Sequence, residues 1–313
     1  MSRGSIAVVL NASSGHGTAP KVAERLKEIF AEAGREAHVT LAKGGTEINA
    51  AMRRAVEAGC ETLVVGGGDG TINSGASAVV GRDIPLGLLP LGTLNHFAKD
   101  LGIPLELEEA AKVVLEGVVC KVDVGEVNGR IFLNNSSLGV YPAIVRLREK
   151  YRATVGGKWI AALWAGLTVV RHRPFMAVRI VAEGETLVRR TPLVLVGNNE
   201  YEMAGIHAVS RESLARGRLA IYVLNAEQRP GLLRLAWRVL LQGAERVEEV
   251  DLITVEEATV ETRRHRVQVA ADGEVFSLQP PLSYRIRPGA LRVLVPRATS
   301  ACYPHPPGAS STR

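Results

Sequence analysis

Apolar residues in the first 127 positions follow two alternating patterns. Short continuous apolar runs, such as Ser5–Leu10 and Thr62–Val65, are typical of strands that are buried on both faces. Between such runs, apolar residues over about 20–33 and 46–58 recur every three or four positions, which is the spacing of an amphipathic helix. This alternation of buried strands and helices predicts an α/β fold, an N-terminal domain built on a doubly wound parallel sheet.

The second half of the chain has a different pattern. From Val118 apolar and polar residues alternate, which is the period of a half-buried strand. The pair Asn128-Gly129 is typical of a type I′ hairpin turn between two strands. After Pro174, short strand-like runs separated by turn residues predict a C-terminal antiparallel β-sandwich domain. The sequence therefore predicts two domains, with a boundary near residue 127.

Three segments of the second half do not read as strands. Residues 156–170 and 230–242 have the composition of helices with apolar faces, and either burial in a core or contact with a membrane interface explains them. The tail over 298–313 is rich in Pro, Ser and Gly and is predicted to be disordered. No run approaches the roughly 18 uncharged apolar residues that a membrane-spanning helix requires.

The most informative stretch is Gly66-Gly67-Gly68-Asp69-Gly70-Thr71-Ile72-Asn73, which directly follows an apolar run. Consecutive glycines let the backbone turn sharply and approach a ligand, because no Cβ atom intervenes. Backbone N–H groups at a turn that opens a helix form an anion site suited to phosphate. Asp69 would repel a bare phosphate, so it indicates a Mg²⁺-nucleotide. A plain glycine-rich turn capped by Asp69 is the alternative interpretation.

A second glycine turn lies in the stretch 85–98, where an apolar run again precedes Gly92-Thr93-Leu94-Asn95. The pair of blocks, GGDGT-x-N and LPLGT-x-N, resembles the diacylglycerol kinase catalytic family. These bacterial lipid kinases are related to sphingosine kinases and, more distantly, to NAD kinases and phosphofructokinases. The resemblance covers most of residues 5–296, and it implies ATP and Mg²⁺ as cofactors.

Candidate nucleotide contacts lie where the predicted strands end. In a doubly wound sheet the carboxyl ends of the strands meet at one rim, where ligands bind. We therefore expect these residues to converge, and the resemblance implies a nucleotide-contacting threonine at position 40. Asp69 is also the predicted Mg²⁺ residue. The predicted nucleotide-binding residues are Asn11, Thr40, Gly67, Gly68, Asp69, Gly70, Thr71, Ile72, Asn73, Gly92, Thr93 and Asn95.

A third motif, Asp272-Gly273-Glu274, lies between two strand-like runs. From the residues alone, Asp-Gly in this position indicates a hairpin turn. The motif also resembles the Asp-Gly-Glu element of the family, which faces the nucleotide. That resemblance implies that a carboxylate of Asp272 or Glu274 accepts the proton of an alcohol as it attacks the γ-phosphate. The predicted catalytic residues are Asp272, Glu274 and Asp69.

Two positions depart from the family pattern. His96 follows the Asn of the second block, where related lipid kinases commonly have Asp; a surface replacement and a changed metal or substrate contact are both open. Arg216 precedes Gly217, where family members often have an Asp that contributes to a structural Mg²⁺ site. An arginine cannot ligate Mg²⁺, so we expect that structural ion to be absent.

Charge is unevenly distributed along the chain. Residues 1–127 have a net charge of −4 and residues 128–313 a net charge of +10. Aromatic residues make up only 4%, which argues against nucleic acid as the partner and favours peripheral contact with an anionic membrane surface. Three scattered cysteines predict no disulfide framework and a cytoplasmic protein. The oligomeric state is left open, a homodimer included.

The sequence thus predicts an ATP- and Mg²⁺-dependent kinase that phosphorylates a hydroxyl of a lipid such as diacylglycerol. Residues 1–127 are the expected nucleotide-binding domain, completed in the family by a strand at about 288–297, and residues 128–287 the expected lipid-substrate domain. One alternative is a kinase of a soluble substrate, of the NAD kinase type. The other is a non-catalytic regulator that binds nucleotide or lipid, for which Arg216 and His96 are the motivation.

Overall fold

The computed structural model describes residues 5–14, 19–139, 175–204, 208–211, 213–224, 250–297 and 299. The helices predicted over 156–170 and 230–242 lie outside these ranges, as does the predicted disordered tail except for Thr299. The chain divides into two compact units. The first comprises Met1–Val124, Ser213–Arg216 and Arg287–Arg313; the second comprises Gly125–Glu212 and Gly217–Ile286.

The first unit is an α/β domain whose strands β1 to β4 are parallel and lie in the order β2-β1-β3-β4. Because β1 lies between β2 and β3, the chain extends the sheet in both directions from its first strand, which confirms the predicted doubly wound fold. The last strand, β18, adds a parallel pairing of Val293 with Leu86 of β4. The elements are β1 Ile6–Asn11, α1 Ala19–Glu32, β2 Ala37–Ala42, α2 Gly45–Glu57, β3 Thr62–Gly67, α3 Asp69–Val79, β4 Leu86–Pro90, α4 His96–Asp100 and α5 Leu107–Glu116.

The helices of this unit bury the faces that their apolar spacing predicts. Phe30 of α1 and Met52 of α2 have no exposed surface, while intervening polar residues lie outward. Gly34 and Gly59 follow the two helices in the left-handed region of the backbone, at φ 66° and 76°. That conformation is why a glycine ends each helix. Both helices therefore end where the local sequence signals predict.

The second unit is an antiparallel β-sandwich, as predicted. One sheet has the strand order β14-β13-β10-β7-β16-β17, and the facing strands have the order β18-β15-β8-β9. The bounds are β5 Val118–Val127, β6 Arg130–Phe132, β7 Asn135–Gly139, β8 Met176–Ala182, β9 Glu185–Thr191, β10 Leu193–Asn198, β11 Glu202–Ala204, β12 Ala208–Ser210, β13 Leu219–Leu224, β14 Val250–Val255, β15 Glu257–Thr262, β16 Val267–Ala271, β17 Glu274–Leu278 and β18 Leu282–Val295.

Alternate residues from the two sheets form the core of the sandwich. Val178 and Val260 contribute from one sheet and Val196 from the other. Tyr284 is fully buried, and its ring meets the Phe132 ring edge-on with centroids 6.3 Å apart. Asn128 and Gly129 both have positive φ values, 45° and 81°, so the predicted type I′ hairpin between β5 and β6 is confirmed.

The cysteines differ in part from expectation. Cys60 is a free, buried thiol, and burial raises its pKa. Cys120 is disulfide-bonded, a bond that the scattered cysteines and the prediction of no disulfide framework did not indicate. Among the described residues, no helix is long and apolar enough to cross a membrane.

Candidate functional site

Two of the glycines that lead from β3 into α3, Gly66 and Gly67, are closely packed against neighbouring side chains. A Cβ atom at Gly66 would lie 2.3 Å from a methyl group of Leu10, and one at Gly67 would lie 2.4 Å from Oγ1 of Thr71. Gly68 precedes α3 in an extended conformation, and its carbonyl accepts the N–H groups of Thr71 and Ile72 at 2.9 and 3.1 Å. The N–H groups of Asp69 and Gly70 come before these two bonds, and they are the ones that a phosphate at this helix end would use.

The second glycine turn packs against the first. A Cβ atom at Gly92 would lie 2.4 Å from the Cα atom of Gly68, so the two backbones touch where neither residue has a side chain. The N–H of Leu91 also donates to the carbonyl of Gly67 at 3.0 Å. The two sequence blocks therefore form one backbone-lined structure at the ends of β3 and β4.

Asn95 shapes the second turn through its own side chain. It is buried and has a left-handed backbone, at φ 52°. Its Oδ1 accepts the N–H of Gly92 at 3.1 Å, and its Nδ2 donates to the carbonyls of Gly92 and Pro90 at 2.9 and 3.3 Å. Thr93, between these contacts, is exposed at the turn. Asn95 consequently orders the loop, while Thr93 and the neighbouring Leu94 are exposed.

The first turn of α3 carries two unpaired oxygens. Oδ1 of Asp69 and Oδ1 of Asn73 are both inaccessible to solvent and have no hydrogen-bond partner among the described residues. Residues four apart are neighbours on the same face of a helix. Buried oxygens without donors fit a Mg²⁺ ion, because that ion binds through one or two protein oxygens together with substrate phosphates. The two oxygens of Asp69 and Asn73 therefore suit the predicted Mg²⁺-nucleotide.

The remaining predicted nucleotide contacts fall into different places. Asn11, at the end of β1, donates from Nδ2 to Oγ1 of Thr71 at 3.3 Å, so these two residues meet as expected. Thr40 lies exposed on the edge strand β2, opposite Val9. The Ile72 side chain is fully buried. This side chain packs in the core, and a contact between Ile72 and the nucleotide stays a prediction.

In the second unit, Asp272 and Gly273 form the turn between β16 and β17. Ala271 pairs with Glu274 across the turn, and the φ values of Asp272 and Gly273 are 47° and 85°. The hairpin interpretation is thus confirmed. The carboxylate points away from its own turn toward the loop before β7. There it accepts the backbone N–H groups of residues 133, 134 and 135 at 2.6, 2.9 and 3.2 Å.

This environment changes the acidity of Asp272. Burial raises the pKa of its carboxyl from 3.8 to about 6, although the three backbone N–H groups and the nearby charge of Arg211 act in the opposite direction. A pKa near neutrality is what a general base needs at physiological pH. A carboxylate offers about four acceptor positions, and three hydrogen bonds leave one for a substrate hydroxyl.

Two residues that sequence reasoning missed, Arg211 and Asn198, bind the segment that holds this carboxylate. Arg211 is only 5% exposed, and it donates to the carbonyls of Leu133 and Asn198 at 2.7 and 3.0 Å. Asn198 itself donates from Nδ2 to the carbonyl of Leu133 at 2.9 Å. The sequence signal is weak, because Gly197-Asn198-Asn199 is also typical of a turn and Arg211 matches no motif. The burial of Arg211 can be recognised only from the three-dimensional structure.

Three further residues of interest are exposed. Glu274, the second candidate base, lies at the start of β17 with its side chain in solvent. His96 is the exposed first residue of α4, and Arg216 is exposed beyond the buried Leu214. Among the described residues, no group of three or more His, Cys, Asp and Glu side chains could hold a metal. The absence of a structural ion near Arg216 stays a prediction.

Comparison with known proteins gives consistent matches along the chain. Residues 5–127 match the model described as the diacylglycerol kinase catalytic domain. Residues 140–295 match the model described as the YegS C-terminal NAD kinase beta sandwich-like domain. A diacylglycerol kinase of Mycobacterium tuberculosis is 30% identical over 309 residues, which cover 94% of this chain and 96% of the relative.

Two further matches agree with these. A Pseudomonas aeruginosa protein named "Probable lipid kinase YegS-like" is 33% identical over 85% of this chain and 86% of its own. The crystal structure of a diacylglycerol kinase from Bacillus anthracis superimposes with a TM-score of 0.69 at 21% identity, covering 94% of this chain and 98% of that one. This structural likeness supports the fold, and the sequence matches confirm the resemblance seen in the two glycine blocks.

Proposed function

Because the chain belongs to the diacylglycerol kinase catalytic family, we propose that it transfers the γ-phosphate of ATP, with Mg²⁺, to a hydroxyl of diacylglycerol or a similar lipid alcohol. The observation that carries the proposal is the junction of the two glycine turns. Gly68 and Gly92 touch backbone to backbone, and Asp69, the residue after Gly68, has a buried oxygen without a hydrogen-bond partner among the described residues. A phosphate chain with a bound cation satisfies both features.

The glycine loop has the role of holding and orienting the phosphates. The N–H groups of Asp69 and Gly70 precede the first helical hydrogen bonds, which Thr71 and Ile72 donate to the carbonyl of Gly68. The helix dipole makes this end partly positive. The bare backbone of the two turns lets phosphate oxygens come within hydrogen-bond distance. Asp69 and Asn73 would hold Mg²⁺, which when bound neutralises charge that develops on the transferring group. Asn11 and Asn95 keep the loops in this arrangement through their side-chain bonds.

Asp272 has the role of the base. In the transfer, the substrate hydroxyl oxygen bonds to the γ-phosphorus, the bond from that phosphorus to the leaving ADP oxygen breaks, and the hydroxyl proton passes to a carboxylate. The three backbone N–H donors fix the orientation of Asp272. Its raised pKa, about 6, leaves it mostly ionised at neutral pH yet basic enough to take the proton.

Replacing Asp69 by Asn should raise the Mg²⁺ concentration needed for half-maximal activity by about tenfold or more, because a neutral amide is a weaker ligand than a carboxylate. The rate at saturating Mg²⁺ should fall as well. Titration of activity with Mg²⁺, and of Mn²⁺ binding in the presence of ATP, measures both effects. Asp83→Asn is the control, since Asp83 pairs with Arg292 on the surface of the same unit. Equal Mg²⁺ requirements for the two variants would contradict the metal assignment.

We also propose that the protein reaches its substrate by peripheral contact with anionic membranes. The net charge of +10 on residues 128–313 supports this, at about 1 kcal/mol for each cation that reaches the surface. Binding to phosphatidylglycerol vesicles in a flotation assay should exceed binding to phosphatidylcholine vesicles, and added salt should weaken it. Equal binding to both vesicle types at every salt concentration would refute membrane attraction by charge.

The kinase assignment is tested by offering labelled ATP with a panel of acceptors. Lipid alcohols such as diacylglycerol, and the soluble dinucleotide NAD, are incubated separately with the protein and Mg²⁺, and the labelled products are separated. The proposal predicts label in a lipid alcohol. Label in NAD would instead support the soluble-substrate alternative. Binding of ATP without transfer to any acceptor would support a non-catalytic regulator.

A further inference from the structure

The loop that holds the Asp272 carboxylate, residues 133–135, presents polar groups in two directions. Its three N–H groups all donate to the carboxylate. The carbonyl of Leu133 and Oδ1 of Asn134 instead accept from Arg211, at 2.7 and 2.9 Å. Three consecutive N–H groups that converge on one anion require a particular local backbone conformation. Arg211 bonds to the two residues at the start of that conformation.

The surroundings hold Arg211 firmly in this position. Its Nη1 also donates to the carbonyl of Asn198 at 3.0 Å, and its guanidinium lies 5.5 Å from the centre of the Tyr201 ring. Asn198 donates its own backbone N–H to the carbonyl of Asn134 at 2.9 Å. Burial of a charged group is costly unless it is well paired, and the planar fork of arginine suits several fixed acceptors. The arrangement is therefore a built, interlocked network.

We propose that Arg211 is a positioning residue for the reaction, whose fork fixes the 133–135 loop so that its N–H groups aim the Asp272 carboxylate. This inference rests on the proposed function, in which Asp272 accepts the substrate proton. Arg211 acts through the loop, and it has a second effect through its charge. Of the charged side chains that the structure describes, Arg211 is the one whose charge lowers the pKa of Asp272. Both effects keep the carboxylate ionised and oriented.

Substituting Arg211→Met removes both the fork and the charge at similar length. We expect kcat to fall by about 10- to 100-fold, because a small displacement of a catalytic group has an effect of that size. The Michaelis constant for ATP should change little, since the nucleotide loops belong to the other unit. The acid limb of the kcat profile should also move to higher pH. Arg211→Lys keeps the charge without the fork. The acid limb of its kcat–pH profile should therefore lie at the parental pH, while kcat should recover only in part.

The matched control is Arg189→Met, which removes an arginine paired with Asp251 at 3.0 Å in the same unit and leaves the 133–135 loop untouched. Circular dichroism and thermal unfolding show whether each variant folds, and Arg211→Lys carries the test if Arg211→Met does not. If folded Arg211→Met has the same kcat and the same acid limb as Arg189→Met, Arg211 only stabilises the fold and the inference is overturned.

A measurement without turnover separates this inference from the proposed function. Carbon-13 NMR of labelled aspartates, with Asp272→Asn to assign the signal, follows the Asp272 carboxyl through its titration. The carboxyl should titrate near pH 6 in the parent, at higher pH in Arg211→Met and as in the parent in Arg189→Met. An unchanged titration in Arg211→Met would overturn the inference even for an active kinase. If the titration shifts but the protein phosphorylates no acceptor, Arg211 still controls the pKa of the Asp272 carboxyl, and the proposed kinase function is rejected.

Discussion

Gly92→Ala should lower ATP affinity by about 100-fold or more, which corresponds to a loss of about 2.7 kcal/mol in binding free energy. The added Cβ atom would lie 2.4 Å from the Cα atom of Gly68, and the opposing atom is backbone, which cannot rotate away. The two turns must then separate, and the N–H groups at the start of α3 no longer face the phosphates together with the second turn. Isothermal titration calorimetry measures the affinity.

A matched glycine substitution gives the control for this variant. Gly45, the first residue of α2, has no atom within 4 Å of a Cβ built on it. Gly45→Ala should therefore bind ATP as the parent does and unfold at a similar temperature. If Gly92→Ala is folded and also retains parental affinity, the junction of the glycine turns is not the phosphate site.

Asp272→Asn should lower kcat for phosphoryl transfer by about 10²- to 10⁴-fold and leave ATP affinity nearly unchanged, because the base acts on the acceptor hydroxyl. Asparagine tolerates the left-handed backbone at this turn, where φ is 47°, so the fold should survive. Single-turnover kinetics with bound ATP measures the transfer step directly. If Asp272→Asn turns over at the parental rate, the Asp272-Gly273-Glu274 motif is only a hairpin turn and Asp272 is not the base.

The companion variant Glu274→Gln distinguishes the two carboxylates of the motif. Glu274 is exposed and lies beyond the turn, so its substitution should change kcat by a few-fold at most. Its kcat profile should keep the parental acid limb near pH 6, below which protonated Asp272 can no longer accept a proton and the rate falls tenfold per pH unit. A large loss in Glu274→Gln together with a small one in Asp272→Asn would assign the base to Glu274 instead.

Local sequence patterns predict much of this architecture. The strands of the first unit are continuous apolar runs, the helices have a 3.6-residue period, and Gly34 and Gly59 mark helix ends by their backbone freedom. Asn128-Gly129 likewise marks its hairpin in the local sequence, and Asn128 is held further by hydrogen bonds with Ser283 and Pro281. Elements are predictable where the residues that cause them lie within one short stretch. The two glycine turns, each directly after an apolar run, are examples.

Other features depend on contacts between distant parts of the chain. Asp272 is held by N–H groups more than 130 positions earlier, and backbone groups carry no sequence signature. Arg211 reaches the same loop from the other side, and nothing in its neighbours distinguishes it from a surface arginine. Ile72 lies inside the glycine motif, and helix geometry turns its side chain to the core, which the motif alone does not indicate.

The most direct test of the account is whether labelled phosphate moves from ATP to diacylglycerol. The protein is incubated with γ-labelled ATP, Mg²⁺ and diacylglycerol in mixed micelles, and the label in the extracted lipid is counted before and after chelation of the metal. The labelled lipid should form with Mg²⁺, should be lost on chelation and should be nearly absent with Asp272→Asn. A folded protein that binds ATP in the presence of Mg²⁺ and still leaves diacylglycerol and related lipid alcohols unlabelled would contradict it.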